Sequence, residues 1–205
     1  MRRADAAWLL VAALFAACAL AGWFLPHELL DWQPALALRE PWRAFTPIGV
    51  HYSSAHLIGN LAGIALAGVF GIAAVAPTRL AWAWLAAWPL THLGLLLRPD
   101  LRHYGGMSGL NHAGVAVIVV WVLANGRTPA QRWVGALVAL GFVAKVLSES
   151  PWGALLRQPP GSDIAVAPFV HLTGAVSGAL CALVALYFQR RFQHRAEPAR
   201  DSLSP

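Results

Sequence analysis

The chain has 205 residues, of which 58% are hydrophobic and only 12% are charged, and its mean hydropathy is +0.57. Soluble domains carry roughly 25% charged residues, so this composition excludes an ordinary soluble enzyme and predicts a polytopic membrane protein. The net charge of +6 comes without a nucleic-acid-binding motif, so no nucleic-acid partner is expected. The two cysteines lie within apolar runs, which indicates packing residues rather than a disulfide or a zinc site.

Apolar runs divide the chain into six candidate membrane helices. The first run ends at Leu25-Pro26 instead of a small-residue cleavage site, which favours a retained helix over a signal peptide. The predicted spans are residues 6–25, 56–76, 80–97, 109–124, 133–147 and 165–188. They predict an all-α membrane domain over residues 1–188, followed by a basic tail over residues 189–205 that is disordered in character.

The segment between the first two spans, residues 26–55, differs in composition from the spans. It combines charges, prolines and aromatic side chains, which suits an irregular structure lying in the membrane interface. It therefore predicts a long loop outside the bilayer core.

Arginine counts on the two sides of the membrane predict the orientation. Six spans put both termini on one side, which holds nine arginines against five on the other side. The positive-inside rule then places both termini in the cytoplasm and the loop of residues 26–55 outside. The nine are Arg2, Arg3, Arg79, Arg127, Arg132, Arg190, Arg191, Arg195 and Arg200, and the five are Arg39, Arg43, Arg98, Arg102 and Arg157.

The stretch Tyr104-Gly105-Gly106-Met107-Ser108-Gly109 joins a polar loop to the fourth span. A serine among glycines at a helix start has an accessible hydroxyl beside backbone N–H groups that can bind an anion. Acyl transfer needs this combination of a nucleophile and donors for the oxyanion. Alternatively, Ser108 is only a helix N-cap and the glycines form a turn.

Polar side chains within membrane spans are expensive, and they mark candidate functional sites. Here they lie toward the outward ends of three spans, at similar depth, and helical spacing places them on common faces. The sets are His56 with Asn60, Ser108 with His112, and His171 with Gly174 and Gly178, whose glycines permit close helix approach. A bundle can gather these residues in one outward-opening cavity.

These residues suggest a serine nucleophile activated by a histidine base. We expect a dyad of Ser108 and His171, with Asn60, His56 and the Ser108 amide binding the oxyanion. Asp163 or Glu149 is a less favoured third member, because the spans near His171 contain no acidic residue. Four further histidines, His27, His51, His92 and His103, are interpreted as interhelical packing residues.

Four motifs in this order resemble the rhomboid intramembrane serine proteases. They are Trp42-Arg43, His56-Leu57-Ile58-Gly59-Asn60, Gly106-Met107-Ser108-Gly109, and His171-Leu172-Thr173-Gly174 with Gly178. The resemblance implies Ser108 as nucleophile, His171 as general base, and His56, Asn60 and the Ser108 amide as the oxyanion site. It also implies that the backbone at Gly106 and Met107 contacts substrate and that the Trp-Arg loop lies in the interface.

The compact form, and His112 four residues after the serine, look more like the rhombosortase branch. That resemblance implies a multi-pass protein of the bacterial inner membrane with a site open to the periplasm. Substrates in that branch are exported proteins with a C-terminal tail of a Gly-Gly motif, one transmembrane helix and a basic cluster. Cleavage there releases the protein or transfers it to a lipid-derived amine. His112 either takes part in the site or packs between helices.

Three other interpretations remain open at this stage. One is a general rhomboid that hydrolyses single-span proteins, and a second is a non-catalytic rhomboid-like scaffold that binds clients. A third is a haem or metal protein that uses His56, His92, His112 and His171 as ligands. Neither a cofactor nor a metal is expected, because the Gly-Met-Ser-Gly junction has no role in ligation. Lys145 has no assigned role beyond snorkelling to an interface.

Overall fold

The computed structural model describes residues 1–126 and 128–196. Its long helices are α1 (Arg3–Gly22), α3 (Ser54–Ala73), α4 (Thr78–Leu93), α5 (Ser108–Asn125), α6 (Pro129–Ser148) and α7 (Pro168–Ala196); α2 (His27–Leu30) is one short turn. All six long helices are apolar and long enough to cross a membrane, α4 together with the 3-10 turn Gly94–Leu97 that continues it. The described residues contain no β-strand, only two isolated bridges. The predicted all-α, six-helix bundle is confirmed.

Local signals explain where several helices begin and end. Ser53 caps α3 by accepting a hydrogen bond from the His56 N–H at 3.0 Å. Thr128 and Gln131 form a capping box, which starts α6 four residues before the predicted span of 133–147. Helix α7 continues to Ala196, so the first part of the predicted tail is helical, while residues 197–205 lie outside the described part.

The core lies between α1, α3, α4 and α5. The rings of Trp8, Phe15 and Trp84 are fully buried, and Trp84 contacts the other two. Both indoles donate to carbonyl oxygens, Trp8 Nε1 to that of Ala76 at 3.1 Å and Trp84 Nε1 to that of Leu110 at 2.9 Å. Helix α5 is central, because it packs on α3, α4, α6 and, most extensively, α7.

Glycines bring α5 and α7 into backbone contact. A Cβ added to Gly174 would clash with the backbone of Gly109, and one added to Gly178 would clash with the backbone of Ala113. Two helices meet this closely only where the residues at the contact are small. The α5–α7 seam, defined by these four residues, sets the distance between the start of α5 and the start of α7.

The loop between α1 and α3 is ordered by Arg43, although it consists mainly of short turns. Arg43 is 4% exposed and its guanidinium donates to Asp31 Oδ1 at 3.0 Å, to Glu40 Oε2 at 2.6 Å and to the Glu28 carbonyl oxygen at 3.0 Å. Trp42 beside it is half exposed. Of the Trp-Arg pair predicted at the interface, only Trp42 is exposed at the protein surface. Arg43 is buried because it forms hydrogen bonds that connect distant parts of the loop.

Candidate active site

The turn before α5 presents Ser108 at the first position of the helix. Gly106 has φ +132°, a conformation that side chains rarely adopt, and its N–H donates to the Pro47 carbonyl oxygen at 2.9 Å. Met107 is fully buried and is the N-cap residue, with Ser108 following as the first helical residue. The interpretation of Ser108 as the N-cap is therefore wrong. Its N–H lies in the first turn, where N–H groups have no acceptor within the helix.

The Ser108 hydroxyl lies beside the buried Tyr104 phenol. Burial raises the pKa of Tyr104 above its ordinary value, and hydrogen bonding with the Ser108 side chain partly offsets that increase. The Tyr104 hydroxyl also donates to the Gly106 carbonyl oxygen at 3.1 Å. Tyr104 was not predicted as a site residue. Its position four residues before Ser108 is the sequence feature from which its proximity to the serine could have been predicted.

His171 and His112 meet at the end of the seam where α5 and α7 both begin. Their rings stack with centroids 4.2 Å apart and an angle of 13° between planes. His112 Nδ1 lies 2.6 Å from the Ser108 carbonyl oxygen, and because a carbonyl only accepts, Nδ1 carries the proton. His112 is therefore joined both to the predicted nucleophile and to the predicted base.

An acidic side chain lies against His171. Glu149 Oε2 is 2.6 Å from Nδ1 of His171, which is 4% exposed. Glu149 was predicted only as a less favoured third member, and the structure brings it to His171 from 22 positions away in the sequence. Asp163, the other candidate, forms no ion pair with His171 in the described part of the chain, where Glu149 takes that place.

Lys145 connects Glu149 to His112, and because the rings of His112 and His171 stack, these four residues form a closed circuit of contacts. The Lys145 ammonium lies 3.0 Å from Glu149 Oε1, one helical turn away, and 2.5 Å from His112 Nε2. Burial by itself raises the pKa of Glu149, but the hydrogen bond with His171 and the Lys145 charge outweigh it and lower the value to about 2. Glu149 is therefore an anion at every pH near neutrality. Lys145 does not merely snorkel to the interface, as its place in the sequence suggested.

The predicted oxyanion residues lie on α3, on the opposite side of the Ser108 turn. A Cβ at Gly106 would be 2.9 Å from His56 Nε2, so this ring edge faces the turn. His56 Nδ1 accepts from the Tyr52 N–H at 3.4 Å, which leaves Nε2 as the protonated nitrogen of the neutral ring. The ring is thus held with an N–H donor toward the turn.

Asn60 is hydrogen-bonded to Asn111 of α5, which was not predicted as a site residue. Asn111 Nδ2 donates to Asn60 Oδ1 at 3.2 Å, which leaves the Nδ2 donor of Asn60 buried and without a partner among the described residues. Asn111 lies three residues after Ser108, so the same helical spacing that identified His112 was the available signal. The two asparagines join α3 to α5 close to the start of α5.

The four histidines interpreted as packing residues have different neighbours. His92 is buried and bonds to the Ala44 carbonyl oxygen at 2.7 Å, and the exposed His103 pairs with Asp31 at 2.6 Å. The rings of His27 and Tyr52 meet edge to face. His51 lies 4.8 Å from the ring of His56, and its burial, with a smaller effect of that neighbour, lowers the pKa of His51 to about 4.

The cluster of His112, Glu149 and His171 offers ligand atoms within 4.8 Å of one another. Their arrangement suits hydrogen bonding better than metal binding, because the lone pairs of two stacked rings lie in nearly parallel planes and do not converge on one ion. The Lys145 ammonium also contacts both His112 and Glu149, and a cation would have to replace it. The geometry favours a hydrogen-bond network of these three residues with Lys145 over a metal site.

Comparison with known proteins adds one match. The family model described as Rhomboid domain matches residues 38–188, a range that includes every residue of this candidate site. A search of the curated proteins found no match.

Proposed function

Because the chain belongs to the rhomboid family, a family of intramembrane serine proteases, we propose that it is itself a protease that uses Ser108 and His171. Its substrates, in this proposal, are exported proteins with a C-terminal tail of a Gly-Gly motif, one transmembrane helix and a basic cluster. The chain then sits in the bacterial inner membrane with both termini in the cytoplasm and with the site open to the periplasm.

The observation that carries the catalytic proposal is that two of the seven buried side-chain atoms without a partner among the described residues belong to residues that contact the first turns of α5, through His112 and Asn111. His171 Nε2 and Asn60 Nδ2 are both buried, and neither has a hydrogen-bond partner within the described residues. Buried polar atoms without partners are costly, and their presence near a nucleophile needs an explanation. One is a proton acceptor and the other a donor, which are the two functions that acyl transfer requires.

The chemistry assigned to these atoms proceeds in two stages. Ser108 Oγ attacks the scissile carbonyl carbon while its proton passes to His171 Nε2, which then protonates the leaving nitrogen as the peptide bond breaks. Water, or a lipid amine, attacks the resulting ester, gives its proton to Nε2, and the proton returns to Ser108. Donors for the oxyanion in both stages are Asn60 Nδ2, His56 Nε2 and the Ser108 N–H.

The branch assignment is supported by the position of His112. It stands four residues after the nucleophile, where the rhombosortase resemblance expects a histidine, and its ring stacks on His171. The stacking supports a role in the site, in place of the packing role that the sequence left open. A general rhomboid acting by hydrolysis, or a scaffold that only binds clients, is an alternative outcome of the experiment below.

The test is co-expression with a secreted reporter that carries a Gly-Gly, helix and basic-cluster tail, followed by mass spectrometry of its new C-terminus. We expect shortening with the wild type, and none with Ser108→Ala or His171→Ala. Matched controls are Ser177→Ala, a buried serine of α7 outside the site, and His103→Ala, an exposed histidine. Both controls should process normally.

Each result has one meaning. Added mass on the new terminus indicates transfer to an amine, and a free carboxylate indicates hydrolysis. Cleavage of a generic single-span substrate but not of this tail would favour the general rhomboid. If the wild type cuts neither substrate in lipid, the catalytic proposal is wrong and the scaffold interpretation replaces it.

A further inference from the structure

Glu149 stands at a position that the two-residue mechanism does not use. Its Oε2 faces Nδ1 of His171, the ring nitrogen remote from the unpaired Nε2. A carboxylate only accepts hydrogen bonds, so the proton of the neutral ring resides on Nδ1 and the lone pair on Nε2. This is the tautomer that a general base needs, and the carboxylate selects it.

The turn that carries Glu149 is built to hold this carboxylate in place. Glu149 follows the last residue of α6, and Ser150 after it has φ 51°, an uncommon conformation for a residue other than glycine. Such backbone strain persists only where surrounding contacts impose it. Arg157 donates to the Glu149 carbonyl oxygen at 2.7 Å, and Arg98 donates to the carbonyl oxygens of Pro151 and Gly153.

Lys145 holds the second oxygen of the carboxylate. An ammonium group only donates, so it donates to Glu149 Oε1 and to His112 Nε2, whose other nitrogen donates to the Ser108 carbonyl oxygen. One assignment of protons satisfies all four of these hydrogen bonds, which join His171 to Glu149, Lys145 to Glu149, Lys145 to His112, and His112 to the Ser108 carbonyl oxygen. Lys145 is the only lysine in the sequence.

We propose that Glu149 is a positioning residue that turns the Ser108–His171 pair into a triad, and that Lys145 with His112 holds its carboxylate. This inference rests on the proposed function. Glu149 orients the His171 ring and stabilises the imidazolium that forms when Ser108 loses its proton, while the proton stays on Nδ1 throughout. The charged or titratable groups that face His171 are Glu149 and Lys145 of α6 and its turn, and His112 of α5.

The test compares Glu149→Gln, which keeps the shape but removes the charge, with Lys145→Met and with the control Asp100→Asn. Asp100 is an exposed carboxylate of an outward loop. Labelling of Ser108 by a fluorophosphonate, measured from pH 5 to pH 9, reports nucleophile activation without depending on any peptide substrate. Cleavage kinetics on the reporter tail then separate kcat from KM.

We expect Glu149→Gln to reduce the labelling rate and kcat at neutral pH about 10- to 100-fold, with KM unchanged. The acid midpoint of the rate profile should move about one unit lower, because a positive ring loses its anionic neighbour. Lys145→Met should lose less activity than Glu149→Gln, and Asp100→Asn should match the wild type. Glu149→Gln labelling at the wild-type rate with an unmoved midpoint would overturn the proposal, as would a uniform loss that follows lowered thermal stability.

A spectroscopic readout separates failure of this inference from failure of the proposed function. The proton on Nδ1 of His171, hydrogen-bonded to a carboxylate, should give a far-downfield proton NMR signal that survives Ser108→Ala and disappears in Glu149→Gln and His171→Ala. If the wild type neither labels nor cleaves but shows this signal, the proposed activity fails while the Glu149–His171 bond stands. Without the signal in the wild type, the positioning role is wrong whatever the activity.

Discussion

Helix α7 approaches α5 so closely that Gly174 and Gly178 leave no room for a Cβ, whereas α6 lies at the side of the bundle with only 11% of its span buried, against 50% for α7. Both helices nevertheless bring side chains to the same site. Packing places His171 through the α5–α7 seam, and polar contacts place Lys145 and Glu149. The side chain on α7 is positioned by close steric contact, whereas those on α6 and its turn are positioned by charge and hydrogen bonding.

The difference has a consequence for the chemistry. Steric contacts in the seam do not respond to pH or to a single charge, so the relative position of Ser108 and His171 is a rigid property of the fold. The α6 contacts are made by partly exposed groups, with 46% exposure of the Lys145 side chain and 28% of the Glu149 side chain. The basicity of His171 can therefore be altered from α6 without changing the packing of the bundle.

Among the changes to α6 and α7, the largest effect is expected when a methyl group is added to the seam. Gly174→Ala places a Cβ against the Gly109 carbonyl, and the helix backbones must move apart. Overpacking of this kind costs about 3 kcal/mol of unfolding free energy, and proteolytic activity should fall with it. Reversible unfolding in mixed micelles measures the first, and the reporter assay measures the second.

The matched control is Gly141→Ala on α6, where an added Cβ meets nothing within 4 Å. Because alanine favours a helix over glycine, this change should stabilise the protein by about 0.5–1 kcal/mol. Equal destabilisation by the two substitutions would contradict the contrast between α7 and α6.

A smaller effect is expected where α7 is bonded to α4. Thr173 Oγ1 is buried and donates to the Thr91 carbonyl oxygen at 2.9 Å. Thr173→Val keeps the shape and removes the donor, which should cost about 1 kcal/mol of unfolding free energy. A loss comparable to that of Gly174→Ala would mean that hydrogen bonding, and not close packing, holds α7 in place.

The pH dependence of stability distinguishes α6 from the seam. The pKa of Glu149 is lowered from 4.5 to about 2, so its contribution to stability is complete above about pH 4.5 and is lost as the pH falls toward 2. For partly exposed charges this contribution is at most about 1 kcal/mol. Wild type and Glu149→Gln, unfolded at pH 7 and at pH 3, should differ less at the lower pH. A constant difference would show that the ion pair does not stabilise α6.

The smallest effect is expected on the outward face of α6. Leu140 is 67% exposed, so Leu140→Ala should change the unfolding free energy in micelles by less than about 0.5 kcal/mol. Leu110 of α5 is 1% exposed, and Leu110→Ala should cost about 2–5 kcal/mol. Similar values for the two leucines would place α6 inside the bundle in solution.

Much of the site was accessible from local patterns. The serine among glycines before a span, and histidines and an asparagine at helical spacing near outward span ends, identified Ser108, His171, His56 and Asn60 before any fold was known. Such patterns are readable because a polar residue in an apolar span is expensive and helical periodicity places it on a face. Asn111 and Tyr104 lie within four residues of Ser108 and were missed, although Asn111 is also a polar residue in an apolar span and lies at helical spacing from the serine.

The six helices, the small residues of the seam and the residues at the start of α5 are predictable from the sequence, because hydropathy, helical spacing and turn chemistry act over a few residues. Which acid faces His171, and which groups Lys145 contacts, depend on how the helices pack. Glu149 and His171 are 22 residues apart in the sequence, and Lys145 and His112 are 33 residues apart. The last turn of α6 and the residue after it bring both pairs into contact. Contacts over such separations depend on how helices pack, and the tautomers of His56, His112 and His171 depend on those contacts.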